Sequence, residues 1–166
     1  TKPILTPRFI PSCSDELLRG LGALADKYDL PVQSHLSENF GEIAWVRELC
    51  PQAAFYGDAY DQFGLFGGKH PCIMAHCVHS GDEEIERMRQ NGVVVAHSPM
   101  SNANLASGVA PVSKYLARGL QVGIASDVAG GETVDLFRVM ADALRDSKLR
   151  WRLFDQEVKP LSVDQV

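Results

Sequence analysis

Short apolar segments alternate with amphipathic segments along the whole chain. The apolar segments are rich in β-branched residues, and the segments between them carry apolar residues at helical spacing. This pattern predicts strands over residues 4–9, 31–36, 72–77, 93–97 and 121–126. It predicts helices that begin after Ser14, span about 39–49, 82–90, 112–118 and 133–148, and begin again near 161–164.

The alternation of strands and helices predicts an α/β fold. Five successive βα units imply a parallel sheet with helices packed outside it. Five units cannot close an eight-stranded (β/α)8 barrel, which takes about 250 residues. We therefore expect a partial TIM-type barrel.

Each predicted strand ends in a polar residue. These residues are Arg8, His35, His76, His97 and Asp127. Because the carboxyl ends of parallel strands lie at one face of such a sheet, we expect the five side chains to converge on an active site. Side chains alternate between the two faces of a strand, so residues two apart face the same side. We expect one such pair in each strand to face the inside of the barrel, which we call the inward phase: Thr6 and Arg8, Gln33 and His35, Met74 and His76, Val95 and His97, and Ala125 and Asp127.

The converging residue types suit a transition metal. Imidazole nitrogens and a carboxylate are ligands for Zn²⁺ or Fe²⁺, and such a metal acidifies a bound water. Glu38 follows His35 by three residues and is placed to shuttle a proton. The structural alternatives stay open here: a histidine at a strand end can be a satisfied core residue, and Glu38 can be an N-terminal charge on the helix from Asn39.

The charge and hydropathy of the chain argue against nucleic acids and membranes as binding partners. The chain has 166 residues and a net charge of −5, with no basic block, which argues against nucleic acid or an anionic membrane as partner. No apolar run approaches the roughly 20 residues that span a bilayer. The four cysteines form no CxxC pair and predict free thiols in a reducing cytoplasm.

Other conspicuous residues are interpreted as structural. His70 and His79 lie in predicted loops, where we expect them to be solvated. A set of aromatic residues is expected to serve packing rather than binding: Trp45, Phe55, Tyr56, Tyr60, Phe63 and Phe66.

Four stretches carry a family resemblance. They are QSHLSEN, IMAHCV, AHSPMSN and GIASDVAGG, and they occur in the order found in the amidohydrolase superfamily of metal-dependent barrels. The chain resembles the deaminase and chlorohydrolase branch of that superfamily. The stretches PRF (residues 7–9) and SDVAGG make it most similar to the guanine deaminases.

The resemblance implies a function and residue roles. It implies metal-dependent hydrolytic deamination of guanine, with zinc or alternatively iron as cofactor, in a cytoplasmic homodimer. His35, His76 and Asp127 would be metal ligands; Glu38, His76 and Asp127 would be catalytic; and the substrate would be bound by Arg8, Phe9, Gln33, His35 and Asp127. His97 would support the ligands or anchor the loop that follows it.

The chain departs from the family pattern in one respect. Members carry an HxH pair on the first barrel strand, and no HxH occurs here. We therefore expect residues 1–166 to be the C-terminal part of a longer barrel, without the first strands and a small β-domain. Two alternatives stay open: a deaminase or chlorohydrolase that acts on another heterocycle, and a metal-free fragment that serves only as a binding or scaffolding half.

Overall fold

A four-stranded parallel sheet forms the centre of the computed structural model, which describes residues 2–166. The strands follow chain order across the sheet: β1 (Val32–Leu36), β2 (Cys72–His76), β3 (Val94–His97) and β4 (Gln121–Ile124). The helices are α1 (Asp15–Tyr28), α2 (Phe40–Leu49), α3 (Tyr56–Asp61), α4 (Asp82–Asn91), α5 (Pro99–Asn104), α6 (Val112–Ala117) and α7 (Leu136–Leu153). This α/β arrangement fits part of a (β/α)8 barrel.

The first predicted strand is the main difference from expectation. Of residues 4–9, only Leu5 pairs with the sheet, through an isolated parallel bridge to Val32. Pro7 has no N–H to donate, so the ladder cannot continue through it. The prediction of five regular strands is therefore wrong for this segment and confirmed for the other four.

The helix predictions were accurate where a cap was recognised. Ser14 Oγ accepts a hydrogen bond of 3.2 Å from the N–H of Leu17 and caps α1. α4 ends at Gly92, whose φ of +65° lies in the left-handed region that glycine adopts without strain. The short helices α3 and α5 were not predicted, and the expected helix near 161–164 is a single 3-10 turn, Val163–Gln165.

The predicted inward phase was wrong for β2 and β3. Parallel register pairs Met74 with Ser34 and with Val95, so these three side chains share one face of the sheet. All three are buried on the face covered by helices. Gln33 lies on the opposite, more open face, because successive side chains of a strand alternate.

No helix within residues 2–166 is both long and apolar enough to cross a membrane.

Candidate active site

A pocket of about 300 Å³ opens beside the carboxyl end of β1. Four predicted site residues line it: Arg8, Phe9, His35 and Glu38. Asn39, Glu42 and Trp45 from the start of α2 complete the lining. His76 and Asp127 approach from the ends of β2 and β4, so the structure brings six of the predicted residues to one region.

His35 is held by a backbone carbonyl. Its Nδ1 lies 2.6 Å from the carbonyl oxygen of Arg8. Because a carbonyl only accepts, Nδ1 carries a proton, and in the neutral imidazole Nε2 then carries the lone pair. The ring is therefore in the tautomer that a metal ligand requires.

His76 is held in the same way by a side chain. Its Nδ1 lies 2.9 Å from Oδ1 of Asn102, and its ring stacks on that of His35 with centroids 5.1 Å apart. Its Nε2 lies 3.7 Å from Oε2 of Glu38 and 4.0 Å from Oδ2 of Asp127. Buried His76 takes a φ of +71°, a costly backbone state for a residue other than glycine, and such outliers concentrate at functional sites.

Asp127 also departs from extended backbone, with a φ of +46°. The turn after it packs tightly against α5. A Cβ added to Gly130 would lie 2.6 Å from Ser101 Oγ and 3.0 Å from Asp127 Oδ2. Glycine at position 130 thus lets this turn approach α5 beside the Asp127 carboxylate.

Glu38 faces the site and not the helix that follows it. Ser107 Oγ donates a 2.8 Å hydrogen bond to Glu38 Oε1, and the other oxygen faces His76. Asn39 caps α2 instead, with Oδ1 accepting from the N–H of Glu42 at 2.9 Å. Asn39 therefore provides the cap hydrogen bond of α2, and the proton-shuttle role of Glu38 stays a prediction.

An arginine and two aromatic rings form the opposite wall. The Arg8 guanidinium lies 5.7 Å from the centre of the Phe9 ring. Trp45 packs edge-on against Phe9 at 6.3 Å, is half exposed and lines the pocket. Gln33 does not line the pocket: its Nε2 donates to Thr6 Oγ1 at 3.1 Å, and its role in substrate binding stays a prediction.

Glu42 is a pocket residue that the sequence analysis missed. Burial raises the pKa of its carboxyl, and the charge of Glu38 raises it further, while a hydrogen bond from Tyr56, 2.5 Å long, opposes the rise. Tyr56, Tyr60 and Phe66 are buried, as the packing interpretation expected.

The three remaining histidines, His70, His79 and His97, are buried or partly buried. His97 is buried, and this burial, together with the nearby His76, lowers its pKa to about 4, so its imidazole is neutral near pH 7. His97 Nδ1 makes no hydrogen bond within residues 2–166, and its supporting role stays a prediction. His70 is buried against Asp26 and Asp29, and His79 Nε2 lies 2.7 Å from the carbonyl oxygen of Ser107. Both were wrongly expected to be solvated.

The donors fit part of a metal site. His35 and His76 each have Nδ1 bonded to an acceptor, and the Asp127 carboxylate lies beside His76. Within residues 2–166, however, no group of three or more His, Cys, Asp or Glu side chains is close enough to hold a metal ion. These donors alone therefore do not make a complete site.

Known proteins resemble this chain closely. A probable guanine deaminase of Schizosaccharomyces pombe is 43% identical over 157 residues, which cover 94% of this chain and 29% of that protein. The crystal structure of guanine deaminase from C. acetobutylicum, with guanine bound in the active site, is 52% identical with a TM-score of 0.95, and the match covers 99% of this chain and 39% of that one. An adenosine deaminase from Xanthomonas campestris with bound zinc is 26% identical with a TM-score of 0.76, covering 84% of this chain and 31% of that one.

The chain thus spans about a third of the length of these proteins. The model of the Amidohydrolase family matches residues 1–163. With that match and the shared fold, this chain belongs to the amidohydrolase family.

Proposed function

We propose that the protein carrying this chain hydrolyses guanine to xanthine and ammonia. One observation carries the proposal: Arg8 and Phe9 share a pocket with His35 and Glu38, directly beside His76 and Asp127. The pocket thus pairs groups that recognise a flat, polar heterocycle with groups that handle protons. The guanine bound to the C. acetobutylicum relative supports this substrate.

The wall of the pocket suits a purine. The Arg8 guanidinium offers a planar fork of donors to the carbonyl oxygen and ring nitrogen of the base. Phe9 and Trp45 offer aromatic surface against which the ring packs. Residues 1–166 would form the C-terminal part of the catalytic barrel.

The metal would be held by His35, His76 and Asp127, with further donors from outside these residues. Zinc is the proposed ion, and iron is the alternative, because nitrogen and carboxylate donors suit both. When bound, such a metal supplies Lewis acidity that lowers the pKa of a water molecule.

The chain's own carboxylates would move the protons. Asp127 takes a proton from the attacking water, and Glu38 moves that proton to a ring nitrogen of guanine. Oxygen adds to the carbon that bears the amine, the remaining hydroxyl proton passes to the amino group, the carbon–nitrogen bond breaks, and ammonia leaves. Ser107 keeps Glu38 oriented toward His76, which fits the transfer.

The proposal includes a cytoplasmic homodimer acting in purine breakdown. The cysteines of the chain, all free, support a reducing compartment. The dimer rests on the family resemblance alone, and the native mass of the full-length protein tests it.

The test is turnover by the full-length protein with elemental analysis. We expect release of ammonia and xanthine from guanine, with bound zinc, and loss of both activity and zinc on chelation. Turnover of adenosine or a chlorotriazine in preference to guanine would select the second candidate, which the zinc-containing adenosine deaminase relative favours. A metal-free protein with no turnover of these heterocycles would select the scaffolding alternative.

A further inference from the structure

The backbone before the 3-10 turn Ile10–Ser12 carries the pocket's arginine without a regular strand to hold it. The N–H of Leu5 donates to Pro31 O and the N–H of Gln33 donates to Leu5 O, both at 2.9 Å, and the ladder ends there. Arg8 lies three residues further on. Some other contact must therefore fix the backbone from which the Arg8 side chain extends.

Two buried hydroxyl groups supply that contact. Ser34 Oγ lies 2.7 Å from Pro7 O, 3.1 Å from Arg8 O and 2.7 Å from the Tyr60 hydroxyl. The Tyr60 hydroxyl also lies 3.0 Å from His35 O. Ser34 and Tyr60 are both buried on the helix-covered side of β1.

These contacts form one network around the Pro7–Arg8 backbone. Each hydroxyl has one proton: Ser34 Oγ donates toward Pro7 O at 2.7 Å, and the Tyr60 hydroxyl lies within reach of Ser34 Oγ at 2.7 Å and donates toward His35 O at 3.0 Å. The Arg8 carbonyl then receives its main hydrogen bond from His35 Nδ1 at 2.6 Å. One carbonyl oxygen thus joins the Arg8 backbone to His35.

We propose that Ser34 and Tyr60 are positioning residues that hold the Pro7–Arg8 backbone on β1 and so set the affinity and selectivity of the pocket for its heterocycle. This inference rests on the proposed function. Neither side chain lines the pocket. They act on the substrate through Arg8, whose guanidinium is placed by the backbone that they hold.

The test uses Ser34→Ala and Tyr60→Phe in the full-length protein. Each removes one hydroxyl and keeps the rest of the buried side chain. Because each substitution removes a buried hydrogen bond that holds the Arg8 backbone, we expect the KM for guanine to rise on the order of tenfold, with kcat changed less than about threefold and metal content unchanged. Selectivity for guanine over other aminopurines should fall in parallel.

Ser147→Ala is the matched control. Ser147 is also a buried serine bonded to backbone, donating to Leu144 O at 2.9 Å and accepting from the N–H of Leu161 at 3.1 Å, but it lies in α7 away from the pocket. We expect it to lower stability without changing KM. A KM that changes in none of the variants, or equally in all three, would overturn the proposal.

Hydrogen exchange separates this inference from the proposed function. In Ser34→Ala and Tyr60→Phe, we expect amide exchange within residues 4–10 to accelerate several-fold while β4 is unaffected. If the parent protein does not deaminate guanine, the proposed function fails, and exchange alone decides whether these hydroxyls hold the segment. Unchanged exchange over residues 4–10 refutes the positioning role whatever the substrate.

Discussion

At the residue scale, the arrangement of single hydrogen bonds determines what each polar side chain can do. His35 and His76 both use Nδ1 for a fixed acceptor and present Nε2 to the site. Glu38 uses one oxygen for Ser107 and turns the other toward His76. Substitutions at four residues test these roles: His35, Asp127, Glu38 and Arg8.

The ligand prediction concerns His35 and Asp127. We expect His35→Ala or Asp127→Ala in the full-length protein to remove metal and activity together, because each deletes a donor. Substituting a residue that only hydrogen-bonds to a metal ligand typically lowers metal affinity about 10–100-fold. We expect the removal of a ligand itself to lower it at least as much. Elemental analysis measures the loss. His70→Ala, a buried histidine remote from the pocket, is the control; full metal occupancy in both ligand variants would contradict the assignment.

The proton-shuttle prediction concerns Glu38. Glu38→Gln keeps the size and the hydrogen bond partner of the side chain, but an amide cannot carry the proton. We expect kcat to fall by roughly 10²–10⁴-fold with the metal retained, measured by steady-state kinetics and elemental analysis. Glu48→Gln, an exposed position on the helix that follows Glu38, should behave like the parent. Near-normal turnover in Glu38→Gln would return Glu38 to a structural role.

The recognition prediction concerns Arg8. We expect Arg8→Ala to weaken the preference for guanine and leave metal content intact, because the guanidinium lines the pocket and only the backbone of Arg8 contacts His35. Arg8→Lys keeps the charge without the planar fork and should recover little selectivity. Turnover of guanine, other aminopurines and triazines is compared; an unchanged ranking points to a different heterocycle.

At the element scale, helix caps link the stability of the fold to the site. Ser14 caps α1 at a distance from the pocket, whereas Asn39 caps α2 and also lines the pocket. The same kind of hydrogen bond therefore serves stability alone in one helix and stability plus pocket geometry in the other.

We predict that Ser14→Ala and Asn39→Ala each lower the free energy of unfolding by about 1 kcal/mol, the usual value of an N-cap. Only Asn39→Ala should also raise the KM, because its helix carries Glu42 and Trp45 into the pocket. Denaturant unfolding and steady-state kinetics on the full-length protein measure the two effects. Equal KM values in the two variants would show that the Asn39 cap does not affect substrate binding.

At the scale of the whole molecule, the sheet leaves apolar surface open. β4 has a strand neighbour on one side only within residues 2–166, and β1 has only the Leu5 bridge on its outer side. Large apolar side chains near α7 are exposed, with Phe137 at 83% and Phe154 at 70%. Unpaired strand edges beside such surface favour association.

We therefore predict that residues 1–166 expressed alone associate, bind zinc weakly and do not turn over guanine. The physical reasons are the open edges and the absence of a complete metal-binding group within residues 2–166. Light scattering, zinc titration and a guanine assay check the three parts, with the full-length protein as control. A monomeric and active 166-residue protein would show that this expectation is wrong.

The sequence alone predicted the order of the strands and four of the residues that line the pocket. Periodicity located β1 to β4 because buried parallel strands are short, apolar and bounded by turns, and caps such as Ser14 located helix starts. His35, His76 and Asp127 could be selected as candidate site residues from the sequence, because their selection depends only on where each strand ends. The motifs indicated the family because each is a short continuous stretch that can be recognised without knowing the fold.

Only the tertiary structure decided which side chains face each other. Met74 and Val95 lie on the helix side because register with Ser34 fixes their face, and register cannot be read from one strand. Glu42 and Trp45 enter the pocket because α2 packs at a particular angle beside Phe9. Ser34 and Tyr60 meet across 26 positions of sequence, and a contact between distant segments exists only once the chain has folded.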